Sequence, residues 1–274
     1  KKNTCWPLSH KAALIFEQLF IHIVKGNIMK TLISILASMA LALGATFAHA
    51  DDHAAPSAPV GMVYGLDVSD PAAFAAAMGK YWSSPTGEQN PGVAILRQVV
   101  AGGESPISHI VSVVYPSYEA MDAAFAINAQ SEDAATFQRE VSGAVEVVTS
   151  SMFESTGLGS MKNQIGFGPG TASLYVFASV SDPAKYASAF QKMMGSTDIG
   201  ETDTMLFAMP AGGVGDTTHV VSVTGKSVGA VMAQMAANRA DKDFQKFVKE
   251  VDGIRTIEQN IVTVDMAVFG NMGG

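Results

Sequence analysis

Cysteine is almost absent from this chain: its 274 residues include one, Cys5. The rest of the sequence therefore cannot form a disulfide, a thiolate nucleophile or a cysteine-bound metal centre, and the fold has to depend on burial of a hydrophobic core. Histidine is also scarce, with six residues in total, of which only His53, His109 and His219 follow residue 50. Acid–base chemistry near neutral pH is thereby restricted to very few positions.

Long hydrophobic runs are missing except near the N-terminus. The apolar run at 31–47 follows Met29 and leads to AHA at 48–50, the small-x-small pattern of a signal peptidase site. Because the run is shorter than the ~20 apolar residues that span a bilayer, we expect a signal peptide over 29–50 rather than an anchor. Residues 1–28 are expected to be a non-native upstream extension. Cleavage after Ala50 would deliver the protein to the periplasm or outside the cell.

Basic residues are also few, with 17 Lys and Arg against 25 Asp and Glu. Loss of residues 1–50 would remove five of the basic residues and one of the acidic ones, which leaves 12 against 24. Such an acidic surface repels phosphate backbones and anionic lipid headgroups. We therefore expect no nucleic-acid partner and, once the signal peptide is cleaved, no membrane partner.

The sequence does contain an internal repeat, which decides its organisation. SHIVSV at 108–113 returns as THVVSV at 218–223, and VSDPAAFAAAM at 68–78 returns as VSDPAKYASAF at 180–190. From an AGG triplet onward the two copies stay in step without a gap. The predicted organisation is a disordered lead at 51–60, a first repeat at 61–156, a Gly-rich linker at 157–171 and a second repeat at 172–270.

The residues typical of helix starts and turns in each copy predict the order β-α-β-β-α-β. Asp70 and Asp182 follow β-rich runs and precede Pro71 and Pro183, so each Asp-Pro pair is expected to start a helix, with the carboxylate as its cap and the proline in its first turn. The two β-rich segments around the AGG loop are expected to form a hairpin. Each copy is therefore predicted to be a ferredoxin-like unit of the α+β class.

The run from the third strand into the second helix carries a family resemblance. HIVSVVYPSYEAMDAAFA at 109–126, followed by QSEDAATFQREV at 130–141, resembles the dimeric α/β-barrel superfamily, which includes the antibiotic biosynthesis monooxygenase, NIPSNAP and EthD groups. The resemblance implies two ferredoxin-like units that pair their antiparallel sheets into a barrel with helices outside. This chain would supply both units, as a tandem duplication that forms an intramolecular α/β barrel. HIVSVV is apolar on both alternating faces, as expected of a strand covered on both sides.

His109 and His219 are the candidate catalytic residues, because they occupy matching positions of the two repeats. If both face the barrel interior, each could act as a general base or hydrogen-bond a ligand. The alternative is that each bonds a neighbouring backbone or carboxylate group and is repeated only because the fold is. A metal site that combines them with Glu88 and Glu201 lacks local ligand spacing, so no metal site is predicted.

Several aromatic and hydroxyl side chains are candidates for lining a ligand cavity. Aromatic residues in a barrel could hold an apolar or aromatic molecule, although such residues are more often core. The candidate ligand-binding residues are Tyr64, Trp82, Tyr115, Tyr175, Ser112 and Ser222.

These observations favour an exported protein that binds a small apolar molecule inside its barrel. One alternative is an enzyme that resembles the cofactor-independent monooxygenases, with a histidine base, and a second is a partner-binding protein whose barrel is filled. No cofactor is expected. Haem stays open, because haem-degrading relatives use Asn, Trp and His, residue types that this chain also has. A monomer with pseudo-twofold symmetry is expected, or a higher homo-oligomer.

Overall fold

A computed structural model describes residues 58–270. The predicted upstream extension, the signal peptide and most of the predicted lead lie outside the described residues. Within 58–270, no helix combines the length and the hydropathy needed to cross a membrane.

The described residues form eight strands and seven helices, arranged as two similar halves. The first half comprises β1 (Val60–Val68), α1 (Pro71–Trp82), the short α2 (Pro85–Glu88), β2 (Val93–Ala101), β3 (His109–Tyr115), α3 (Tyr118–Ala129), α4 (Glu132–Val141) and β4 (Val145–Ser160). The second half comprises β5 (Ala172–Val180), α5 (Pro183–Met194), β6 (Thr202–Gly212), β7 (His219–Gly225), α6 (Val228–Ala240), α7 (Lys242–Val251) and β8 (Arg255–Phe269). The predicted α+β class is confirmed.

All of these strands pair antiparallel, in the order β1-β3-β2-β8-β5-β7-β6-β4, which closes on itself as a barrel. Within each half the order is that of a ferredoxin-like sheet, β4-β1-β3-β2 and β8-β5-β7-β6. The halves join where β2 pairs with β8 and where β4 pairs with β6. Closure leaves neither half with an unpaired edge, which removes the usual route to edge-to-edge aggregation.

The helix starts follow the Asp-Pro signals of the sequence. Asp70 accepts a hydrogen bond from the Ala73 amide and Asp182 accepts one from the Lys185 amide, both at 3.0 Å. Each proline occupies the first turn of its helix, where its missing N–H costs no hydrogen bond. The predicted hairpins are also present, as β2 with β3 and β6 with β7.

The segment between the halves is shorter than the predicted linker. β4 continues through Ser160, and β5 starts at Ala172. Gly159 lies in this last stretch of β4 with a φ of 138°, and a Cβ there would approach the Thr204 carbonyl oxygen to 2.2 Å. Glycine therefore lets β4 run close beside β6, so part of the Gly-rich composition serves the strand pairing rather than a flexible connection.

Alternating residues of the strands supply two separate cores. Outward-facing side chains such as Leu66 and Val111 pack with Phe74 and Met78 of α1. Inward-facing side chains such as Ile110, Phe153 and Phe177 form a cluster inside the barrel. Both faces of the sheet are thus covered, as its two-faced apolar pattern predicts.

His109 and His219 lie on the outward face, beneath the helices. His109 shares a face with Val111, and its Nδ1 lies 2.9 Å from the Ser108 Oγ, which also accepts a hydrogen bond from the Val68 amide. In the second half, the His219 Nδ1 lies 2.9 Å from the Thr218 Oγ1, which likewise accepts a hydrogen bond from the Val180 amide. The sequence left the direction of these side chains open. The structure assigns them to the packing between sheet and helices, because their strand neighbours Ile110 and Val220 face inward.

The two histidines are expected to make stability depend on pH. Burial lowers the pKa of both His109 and His219. The unfolded chain therefore takes up protons at a higher pH than the folded chain, so their contribution is complete above the unfolded pKa of about 6.5 and is lost as the pH falls. We expect the free energy of unfolding in urea to fall more between pH 7.5 and pH 5.5 than in a His109→Asn/His219→Asn variant. Equal pH dependence in the two proteins would contradict this.

Each half is expected to depend on the other to cover its sheet edges. A fragment of residues 58–160 exposes β2, β4 and the inner face of its sheet, so it should dimerise or aggregate. Mixing it with a fragment of residues 171–270 should give a 1:1 complex, measured by size-exclusion chromatography with light scattering. A stable monomer of either fragment would show that barrel closure is dispensable.

Candidate functional site

The barrel encloses a cavity of about 250 Å³. Seven of the eight strands contribute side chains to it, and most of these are apolar or aromatic. The apolar lining comprises Val63, Ile95, Ile110, Val114, Phe153, Tyr175, Phe177, Met205, Phe207, Met209 and Val220. Concave apolar cavities with a few placed polar groups are typical of small-molecule sites.

Arg97 is the one basic side chain that lines the cavity among the described residues. It is 2% exposed. Its Nε donates to Asp265 Oδ1 at 2.9 Å and its Nη1 donates to Ser112 Oγ at 2.7 Å. The Phe167 and Tyr175 rings lie 5.6 and 5.7 Å from its guanidinium carbon, which is cation–π distance. The guanidinium is therefore fixed by a carboxylate, a hydroxyl and two rings.

Asp265 is the counter-ion of Arg97 across the junction between the halves. Arg97 on β2 and Asp265 on β8 are directly paired in the strand register. Burial raises the pKa of Asp265, while the Arg97 charge and the Gly168 amide act in the opposite direction. Because an unpaired buried charge is costly, each member of this pair depends on the other.

The segment 161–171, which we call the strap, crosses one end of the barrel. Its Asn163 and Ile165 amides donate to the two carboxylate oxygens of Asp203, at 3.0 and 2.7 Å. Its Gly168 amide donates to Asp265 Oδ2 at 3.1 Å. Two buried carboxylates thus hold the strap in place.

The strap also forms part of the cavity wall and its rim. Ile165 is buried, whereas Met161 and Phe167 line the cavity yet remain 57% and 47% exposed. Side chains that touch both the cavity and solvent mark its opening. A ligand would therefore pass beside Met161 and Phe167.

Three of the predicted ligand-binding residues line the cavity: Ser112, Ser222 and Tyr175. No hydrogen bond to another described residue is present at the Ser222 hydroxyl, so it stays free for a ligand. Ser112 and Tyr175 already contact Arg97.

Tyr64, Trp82 and Tyr115 lie outside the cavity. Tyr64 follows the inward-facing Val63 and so points to the other face of the sheet, where it packs beneath α1 and α4 in the same core as Trp82, the last residue of α1. Tyr115 is buried beneath α3. Their large apolar rings serve the outer core, which is the commoner use of aromatic residues.

His109 and His219 also lie outside the cavity, so the geometry needed for a cavity base is not met. No group of three or more His, Cys, Asp or Glu residues that could hold a metal ion occurs within residues 58–270. The cavity does not fit a histidine-ligated haem either, because neither imidazole faces it to supply an axial ligand.

Ser227 lies in a G-x-S-x-G pattern, 225–229, which connects β7 to α6. This pattern can mark a nucleophile elbow, in which the serine sits on a strained turn. Here Ser227 has an extended φ of −164° and its hydroxyl accepts a hydrogen bond from the Ala230 amide. It is therefore a helix cap.

The sequence interpretation missed Arg97, Asp203 and Asp265. The sequence does contain a signal for Arg97 and Asp265, because these are positions where the two copies differ. The second copy has Phe207 at the position of Arg97, and the first copy has Ser155 at the position of Asp265. Ser155 and Phe207 pair across the other junction, as Arg97 and Asp265 do across theirs. A charge on the apolar face of a strand is unusual enough to indicate a buried partner.

Comparisons with protein-family models and with curated proteins give no match. Solved structures do match. A candidate monooxygenase from Fusobacterium nucleatum subsp. nucleatum is 13% identical with a TM-score of 0.56, over 80% of this chain and 96% of its own.

Two further structures agree. A candidate monooxygenase from Lactobacillus acidophilus is 12% identical with a TM-score of 0.52, over 79% of this chain and 97% of its own. An anthrone oxidase-like protein is 12% identical with a TM-score of 0.55, over 80% of this chain and 95% of its own. At these identities the likeness shows the fold alone, and the strand order agrees with the barrel of paired ferredoxin-like sheets that the sequence resemblance implies.

Proposed function

We propose that this protein binds a small, largely apolar molecule in the barrel cavity, with Arg97 as the anchor for one polar group of the ligand. The proposal includes export through the predicted signal peptide. It also includes the origin of the two halves by tandem duplication, since they repeat both sequence and element order.

The observation that carries the proposal is a buried guanidinium beside an otherwise apolar cavity. Of the five N–H groups of an arginine, the Nε and one Nη1 hydrogen of Arg97 donate to Asp265 and Ser112. None of the described residues accepts a hydrogen bond from Nη2. Nη2 therefore stays available to donate to a ligand oxygen, and a hydrogen bond from a charged donor is among the stronger kinds.

The two junctions between the halves present different side chains to the cavity. The junction of β2 with β8 presents Arg97, and the junction of β4 with β6 presents Phe207 at the equivalent position. Phe153 packs edge-on against Phe207 with ring centroids 5.5 Å apart. A ligand would therefore place its polar group at Arg97 and its apolar body against the two phenylalanines.

Oxygenation of such a ligand is the second candidate function. It is supported by the names of the similar structures, which include two candidate monooxygenases and an anthrone oxidase-like protein. A histidine base does not fit, since both histidines lie outside the cavity. Asp203 is the carboxylate that lines the cavity among the described residues, so an enzyme would have to rely on it. The remaining alternative, a filled barrel that only binds partners, is disfavoured by the cavity itself.

Filling the cavity should abolish ligand binding without unfolding the protein. Ser222→Phe places a ring in the empty volume and breaks no hydrogen bond, so the melting temperature should stay equal or rise. Affinity for the uncharged fluorescent probe N-phenylnaphthylamine should fall at least about tenfold, measured by fluorescence titration. Val147→Phe, at a position that is 58% exposed on β4, is the control and should bind as the wild type does. Unchanged binding by Ser222→Phe would place the ligand elsewhere.

The strap should control how fast a ligand leaves. Phe167→Ala removes a ring from the rim of the opening, so dissociation of the same probe should accelerate about fivefold or more, measured by stopped-flow fluorescence. The matched control is Phe125→Ala, at a phenylalanine on α3 that is 39% exposed. If both variants release the probe at the wild-type rate, the opening does not lie beside the strap.

A further inference from the structure

We infer that the ligand is an uncharged molecule that presents an oxygen acceptor, such as a ketone, and is neither a carboxylate nor an amine. This inference rests on the proposed function. It follows from the balance of charges around the cavity and from the donors that Arg97 leaves unpaired.

The positive charge of Arg97 is already matched. Asp265 lies 2.9 Å from its Nε, with both side chains almost fully buried. Asp203 adds a second buried carboxylate, which lines the cavity directly. Counted as formal charges, Arg97, Asp265 and Asp203 give the cavity and its immediate surroundings one positive and two negative charges. A ligand carboxylate would add a third negative charge in a region of low dielectric, where uncompensated charge is strongly unfavourable.

An amine fits no better. Its ammonium has three donors and no acceptor, so it cannot take a hydrogen bond from Arg97 Nη2. At this anchor it would also meet the positive guanidinium. The anchor therefore disfavours cations as well.

A neutral carbonyl fits the remaining donor geometry. Phe167 and Tyr175 lie within cation–π distance of the guanidinium, so the protein itself already supplies the aromatic contacts of this cation. The Nη2 hydrogens lie in the guanidinium plane, and no described residue accepts them. A carbonyl oxygen supplies one without adding charge, and a hydrogen bond from a charged donor is among the stronger kinds.

Three probes of one shape test this inference: 2-acetylnaphthalene, 2-naphthoate and 2-ethylnaphthalene, titrated at pH 7.5 by fluorescence or calorimetry. The hydrocarbon reports the apolar cavity alone. We expect the ketone to bind about tenfold more tightly than the hydrocarbon, because it gains one charge-assisted hydrogen bond. We expect the carboxylate to bind at least about tenfold more weakly than the ketone. An amine of the same shape, 2-(aminomethyl)naphthalene, should also bind more weakly than the ketone, because it cannot accept a hydrogen bond from Arg97.

Two variants separate charge from hydrogen bonding. Asp265→Asn removes one negative charge, so the affinity for 2-naphthoate relative to the affinity for the hydrocarbon should rise several-fold. Arg97→Met removes the donor, so the ketone should lose its advantage over the hydrocarbon. Because Arg97→Met leaves Asp265 unpaired, the Arg97→Met/Asp265→Leu variant provides the same test with both charges removed, and circular dichroism verifies its fold.

The outcomes distinguish the inference from the proposed function. If none of the probes binds to the wild type, the proposed function fails. If the hydrocarbon binds but the carboxylate or the amine equals or exceeds the ketone, the cavity is a binding site and the inference about ligand charge is overturned. A ketone preference that persists without Arg97 would also overturn it, since another group would then supply the donor.

Discussion

The buried ion pair between Arg97 and Asp265 is the interaction on which the site depends. It crosses the junction of β2 and β8, so it links the two halves of the barrel. Asp265 also accepts a hydrogen bond from the strap, and Arg97 lies against Phe167 of the same segment. One pair thereby connects the barrel wall, the strap and the polar side of the cavity. Replacing either member alone would leave a buried charge, so the two are expected to be retained or lost together.

The barrel separates structural from proposed ligand-binding roles by the direction of the side chains. Residues that face outward, including both histidines, pack the helices onto the sheet, and residues that face inward surround the cavity. Because successive side chains of a strand point to opposite faces, adjacent positions such as Ile110 and His109 serve different purposes. The repeated histidine thus follows from the repeated architecture, while the site depends on Arg97 and Asp265, where the repeats differ.

Much of the fold could be predicted from the sequence, because its signals are local. The Asp-Pro pairs located helix starts, and the repeated SHIVSV and THVVSV located matching strands. The direction of His109 could not be predicted, since a strand that is apolar on both faces does not indicate which face meets the helices. Arg97 was missed because its partner lies 168 residues away and has no counterpart within the same repeat. Ser112 and Ser222 line the cavity because their matched positions fall on the inward face, opposite to that of the two histidines.

The central claim is that the cavity orients an uncharged ligand with its oxygen at Arg97. A crystal structure of the protein with 2-acetylnaphthalene tests this most directly. The account predicts the carbonyl oxygen within hydrogen-bond distance of Arg97 Nη2 and the naphthalene rings against Phe153 and Phe207. A probe bound with its rings at Arg97 and its carbonyl at Phe207, or bound beneath the helices beside His109 or His219, would contradict it.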